Sequence, residues 1–204
     1  MTERLEQKHL TRRKLVEAAL RLSAERGFSS VSLREVAKMA GITPAGFYRH
    51  FHDMNELGLV LVDEVGLGLR QLLREARRSL GKEGSAVRPS VKTFIDYITE
   101  NPHLFRVLQG ERMGPSPEFR KALFAEIDRF VEEVAEDLER GAKLLNQPLR
   151  DTALAAEAIV AVAFTLGGEA LDLPRHKRDQ LIERLIKEVK MILRGSLAPT
   201  KKKR

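Results

Sequence analysis

Two helix starts and two helix stops fall between Ser32 and Phe51, a punctuation too dense for any strand or long helix. Ser32 suits an N-cap, and Glu35 three residues on completes a capping box. Val36, Ala37 and Ala40 then share an inner face, and Gly41 ends the helix where a positive φ costs little. Thr43 caps the next helix, with Pro44 at a first position that needs no N–H. Phe47 and Phe51 lie one turn apart and must face a core. Upstream, Leu15, Ala18, Ala19 and Leu22 repeat at helical spacing until Gly27 closes that helix. Three helices, the last two joined by a turn at Gly41-Ile42, make a helix-turn-helix candidate.

The rest of the chain keeps helical period, and no stretch shows sustained strand alternation. Asp53 and Glu56 form a second capping box, opening a long helix to about Leu80. After the loop Gly81–Gly84, helices are expected near 86–100 and 102–110, parted by Pro102. Gly114–Pro117 is a turn, and the next helix runs to about Leu145, where Asn146-Gln147-Pro148 breaks it. The last two fall near 150–172 and 176–194, around Leu173-Pro174-Arg175. The expected fold is all-α with about nine helices. No internal repeat is visible, and the only low-complexity piece is a basic tail, Lys201–Arg204.

Charge is unevenly placed. The net +7 divides into +4 over residues 1–53, +4 over the last four residues and −1 over the remainder. A basic head beside a neutral body suits a polyanion partner, while a solvated tail with chance clustering explains the same numbers. The chain has no cysteine, hence no disulfide, thiolate nucleophile or Cys-based zinc site. Residues 1–10 lack the apolar stretch of a secretory signal. The apolar run Ala158–Gly168 falls short of the roughly 20 residues that span a bilayer. A cytoplasmic protein without membrane association is the expectation.

Catalytic patterns are missing from the sequence. There is no GxSxG, HExxH, Walker loop or spaced carboxylate–histidine cluster. Gly66-Leu67-Gly68 sits inside a helix with no strand before it, so it is no phosphate cradle. The pairs Glu132-Glu133 and Glu136-Asp137 read as a solvated helix face, and the five histidines lack ligand spacing. Neither catalytic nor metal-binding residues are assigned. An enzyme is kept as a competing class.

The helix-turn-helix candidate has an outward face suited to DNA. With Phe47 and Phe51 inside, Ala45, Gly46, Tyr48, Arg49 and His52 project outward and His50 lies at the margin. Small residues at the helix start allow close approach to a major groove, and arginine reads guanine bidentately. Tyr48, the Thr43 hydroxyl and the helix N-terminal N–H groups suit phosphate oxygens, with Pro44 beside them. Ser32 and Arg34 lie where a backbone contact would fall. The competing reading is an ordinary helical hairpin with a solvated polar surface.

Residues 11–57 carry a resemblance. Val31–Ala37 and Ala40–Phe51 resemble the TetR family of repressors, with Met54 standing where many members carry lysine. The resemblance implies three DNA-binding helices followed by about six that form a ligand pocket and a dimer interface. It implies an operator palindrome in double-stranded DNA and a homodimer. The corresponding domains are 1–53 for DNA binding and 54–197 for ligand binding and dimerisation, with 198–204 as the tail. Phe47–Glu64, Asn101–Arg106, Glu111-Arg112 and Gly167–Asp172 look like the FabR and DesT branch, repressors of unsaturated fatty-acid synthesis. That likeness implies a fatty acyl-CoA effector and no resident cofactor.

Apolar stripes supply candidate effector contacts. Leu57, Leu61, Val65, Leu69 and Leu72 mark one side of the fourth helix, with Leu59 and Val62 opposite, as in a lever buried on two sides. Phe94, Tyr97, Ile98, Phe105 and Leu108 follow, then Leu123, Ile127, Phe130 and Val134, with Phe164 later. Such stripes are ordinary core by default. Given the resemblance, Leu61, Val65, Phe94, Tyr97, Ile98, Phe105, Leu108, Ile127, Phe130 and Phe164 are expected to line an acyl tunnel. Arg106 and Arg112 would meet coenzyme A phosphates, or are simply solvated. A drug or xenobiotic sensor is the alternative within the same class. The eighth helix, apolar almost all round, is expected to be buried on every side and, with the ninth, to form a two-fold four-helix bundle.

Overall fold

The structure, a computed structural model, describes residues 2–79 and 87–198. The expected Gly81–Gly84 loop and the Lys201–Arg204 tail lie outside the described residues. Among those described, nine α-helices and one 3-10 turn carry the fold, and the only bridge is an isolated one.

The helices are α1 (Thr2–Arg26), α2 (Leu33–Met39), α3 (Pro44–Phe47), α4 (Met54–Ser79), α5 (Val87–Glu100), α6 (Pro102–Glu111), α7 (Pro117–Leu144), α8 (Thr152–Asp172) and α9 (Arg175–Gly195). Gly27 and Gly41 take φ of +82° and +74°, as expected of glycines that stop helices. Helix α1 starts well ahead of its apolar stripe, through polar turns whose residues 5–10 stay exposed. Helix α3 has only four residues and continues as a turn to Phe51.

Contacts divide the chain into two compact units, elsewhere than at residue 53. One comprises Met1–Gly68 and Asn101–Glu126, the other Leu69–Glu100 and Ile127–Arg204. In the first, α1 packs on α2 and α6, and α2 packs on α3. Leu15, Val36, Ala37, Phe47, Phe51 and Leu57 form its buried centre. The Phe28 ring stacks on Phe119 at 5.2 Å, and the Phe28 N–H donates to the buried Glu111 carboxylate at 2.6 Å. The buried Glu126 side chain lies over Gly66, where a Cβ would come within 2.6 Å of its Cδ.

In the second unit, α5, α8 and α9 pack on one another. Arg88 forks onto both carboxylate oxygens of Glu183, tying α5 to α9. Asn146 takes a positive φ at the end of α7, and the Gln147 N–H closes a six-residue loop onto Ala142. Leu149 then pairs with Leu197, flanked by Arg150 N–H to Ser196 C=O and Ala198 N–H to Pro148 C=O, both 2.8 Å. This backbone clasp joins the start of α8 to the end of α9.

Helix α8 corrects one expectation. Ala155, Ala156, Val160, Phe164, Leu166, Gly167 and Ala170 are buried, but Leu154 is 62% exposed and Ala161 and Thr165 are also exposed. A single chain covers one face of this helix and leaves the other open. With 21 residues α8 also has the length and apolar composition of a membrane span, beyond what Ala158–Gly168 alone suggests. Its buried face packs against α9 and α5.

Candidate nucleic-acid interface and effector cavity

The local chemistry of the first unit explains why one polar surface is so sharply defined. Ser32 accepts the Glu35 N–H at 3.3 Å, and the Glu35 carboxylate takes the Ser32 hydroxyl and N–H at 2.7 and 2.9 Å. Those bonds, with Arg26 at 2.6 Å, hold the Glu35 carboxyl at about 2. The Ser32 hydroxyl therefore serves its own helix. Thr43 accepts the Gly46 N–H at 3.1 Å, so its hydroxyl proton stays available for an outside acceptor. At the head of α4, Asp53 accepts the Glu56 N–H at 2.9 Å while Glu56 accepts the His52 N–H at 2.6 Å. The Glu56 N–H, with the His52 ring at 3.2 Å, holds the Asp53 carboxyl below its usual range.

Each of these carboxylates is committed to a cap or to an arginine. The cations are not: Arg34, Lys38 and Arg49 are exposed and have no ion pair among the described residues. Thr43, Pro44, Ala45, Tyr48 and His52 are exposed with them, and Gly46 and His50 are half-buried. Tyr48 projects, 62% exposed, with its ring edge-on to Phe47. All ten residues expected to face DNA thus have solvent access. Met54, half-buried, opens α4.

Arg12 was not singled out by sequence reasoning, yet it orders this surface. Its guanidinium lies 4.2 Å over the Phe51 ring, donates to the His50 C=O at 2.7 Å and reaches Glu56 at 4.0 Å. One side chain from α1 thereby fixes the turn carrying Tyr48, Arg49 and His50. Burial pushes the His50 imidazole below its ordinary pKa, and the charges of Lys8, Arg12 and Arg49 push the same way.

The second unit holds a cavity of about 390 Å³, within the range of small-molecule sites. Its inner end is aromatic: Phe164 lies 6.3 Å from Phe94 and 5.8 Å from Phe130. Leu72, Leu73, Val160, Leu185 and Val189 add aliphatic walls that sequence reasoning did not assign to a site. Of the expected effector contacts, Phe94, Phe130 and Phe164 line this cavity. Tyr97, Ile98 and Ile127 are buried in the same unit without lining it. Leu61, Val65, Phe105 and Leu108 are core of the first unit, which also holds the exposed Arg106 and half-buried Arg112. Helical period marks a buried face and says nothing of whether that face meets packed neighbours or a void.

A capped helix-turn-helix with an uncommitted cationic surface, and a separate helical unit around an apolar cavity, define the class of ligand-responsive transcriptional regulators. Residues 15–59 match the family described as bacterial regulatory proteins, tetR family, and residues 84–192 match the tetracyclin repressor-like C-terminal domain. The chain belongs to the TetR family. Solved structures share the fold. A TetR-like transcriptional regulator from Rhodococcus sp. RHA1 is 21% identical, with 91% of this chain and 96% of that one covered and a TM-score of 0.70. The TetR-family regulator PfmR from Thermus thermophilus is 24% identical, covering 89% and 97%, with a TM-score of 0.66. The fatty acid degradation regulator FadR from Bacillus halodurans is 16% identical, covering 91% and 95%, with a TM-score of 0.70. TetR-family regulators are generally non-enzymatic DNA-binding proteins that act as dimers and respond to small-molecule effectors.

Proposed function

We propose that the chain is a repressor that senses a long-chain fatty acyl-CoA and controls genes of unsaturated fatty-acid synthesis or desaturation. The observation that carries this reading is the cavity: aromatic at its inner end, aliphatic along its walls, and suited to a hydrocarbon chain. The sequence likeness to the FabR and DesT branch supports it, as does a fold neighbour described as a fatty acid degradation regulator. Arg49 reads a base edge, and Tyr48 and Thr43 contact phosphates. Two chains meet through the open faces of α8 and α9 and address an operator palindrome.

A ligand shifts the balance between DNA-competent and incompetent states only through unequal affinity for them. Straight and cis-kinked chains fill a narrow cavity differently, so palmitoyl-CoA and oleoyl-CoA should change operator affinity to different extents. The test is operator binding titrated with each at fixed salt, because phosphate contacts make the baseline salt-dependent. A coupling of about 5- to 150-fold is expected. Equal responses would remove the saturation-sensing part, and no response to either would remove the lipid reading. A flat preference across chemically unrelated ligands would favour a xenobiotic sensor instead, and turnover of the thioester would point to an enzyme.

A further inference from the structure

Helix α7 contributes one stripe to the cavity wall. Phe130, Val134, Leu138, Gly141 and Leu145 line the cavity at three- and four-residue spacing, so their side-chain positions share one face of the helix. The stripe runs from covered to open: Phe130 is 7% exposed and Leu145 is 65% exposed. At 1.5 Å per residue it extends about 22 Å, the scale of a long extended hydrocarbon chain. Gly141 interrupts it with no side chain at all.

Neither backbone nor packing calls for a glycine there. Gly141 is helical, its C=O accepts the Leu145 N–H at 3.0 Å, and the helix is stopped by Asn146 with its positive φ. Within a helix, glycine is less favourable than alanine. Close neighbours justify that cost at Gly58 and Gly66, where an added Cβ would come within 2.9 Å of the Phe28 ring or overlap the Glu126 carboxylate. At Gly141 a Cβ would meet no packed neighbour within 4 Å, and helical period aims it into the cavity. Gly110 and Gly195 have similar room but line no part of the cavity.

We propose that Gly141 is a specificity-determining residue of this cavity. Its missing side chain leaves the width by which a long hydrocarbon chain extends from the aromatic end, at Phe130 and Phe164, past the last turn of α7. A larger residue would cut the stripe after Leu138 and leave about 12 Å of it to the ligand. The position thereby selects long chains over short ones. This inference rests on the acyl-chain reading above and adds the residue that fixes the accepted length.

The test measures palmitoyl-CoA and 1-decanol binding to the full-length protein by calorimetry, with Gly141→Ala and Gly141→Leu beside the parent. Decanol is short enough for the stretch from Phe130 to Leu138, so its affinity should stay within about twofold in both variants. Each methylene kept out of the cavity loses about fourfold in affinity. Gly141→Leu should therefore weaken palmitoyl-CoA by roughly tenfold or more, and Gly141→Ala by less. Undiminished palmitoyl-CoA affinity in Gly141→Leu would overturn the assignment while sparing the acyl reading. Equal losses for the two ligands would overturn it as well, being the mark of a general disturbance. Should Gly141→Leu fail to fold, Gly141→Ala decides: a loss confined to palmitoyl-CoA supports the assignment, and no loss overturns it. If neither compound bound the parent protein, the acyl reading itself would fail and the assignment with it.

Discussion

The Glu111 carboxylate at the end of α6 accepts the backbone N–H of Phe28 at 2.6 Å, joining positions 83 residues apart. Glu111 is only 3% exposed, and the residue it holds lies just past Gly27, between α1 and the helix-turn-helix. Replacing Glu111 with alanine removes a charge-assisted bond and leaves the N–H buried, for a loss of about 1.5–3 kcal/mol. Glu111→Gln keeps an acceptor in place and should cost less. Chemical denaturation of both variants, followed by circular dichroism, gives the order. Equal stability of Glu111→Ala and the parent would show that the bond contributes nothing.

At the DNA surface the two exposed neighbours Tyr48 and Arg49 should separate by role. Arg49→Ala is expected to weaken operator binding by about 1–3 kcal/mol and relax preference at one base position. Tyr48→Phe should weaken operator and random DNA alike, because a phosphate contact carries no sequence information. Binding measured on a panel of single-base operator variants distinguishes the two patterns.

His50 predicts a pH dependence of stability with a definite sign. Its folded-state pKa is depressed by burial and by the cations Lys8, Arg12 and Arg49. As pH falls below about 6.5 the unfolded chain takes up the proton first, so this contribution is fully present above that value and lost progressively below it. His50→Gln should flatten that part of the profile. The midpoints of urea unfolding at about pH 7.5 and 5.5, compared between the two proteins, measure the difference. DNA phosphates placed beside the imidazole would raise its pKa, so operator binding at mildly acid pH should draw in a proton.

The open faces of α8 and α9 carry exposed Leu154 and Met191. Placing a charge there, as in Leu154→Glu or Met191→Glu, should shift sedimentation toward monomer and lower operator affinity. The fold should survive, because neither side chain is buried in the single chain. Dimers of undiminished stability in both variants would move the interface elsewhere.

How much of this was legible in the sequence depended on how local the signal was. The Ser32–Glu35 box and the stops at Gly27 and Gly41 involve residues within one turn of each other, and each appears where its pattern placed it. At Asp53 only the cap itself forms, because Glu56 reaches back to the His52 N–H and not to that of Asp53. The polar opening of α1 has no apolar period to announce it. Phe94, Phe130 and Phe164 were recognised as candidate contacts, while the same reasoning gathered Leu61 and Phe105, which pack as core of the other unit. Arg12 and Glu111 act on partners 38 and 83 residues away, and nothing in their neighbourhoods separates them from solvated charges. Long-range polar bonds of that kind appear only when the chain has folded.

Gly66 makes room for the side chain of Glu126, since any Cβ at that position would overlap the carboxylate. The coupling runs one way: a side chain at position 66 requires a shorter one at position 126. Gly66→Ala should be poorly tolerated by itself, whereas adding Glu126→Ala frees the space and should recover much of what was lost. Laid out along a set of related sequences, a side chain at position 66 and a long acid at position 126 should be mutually exclusive.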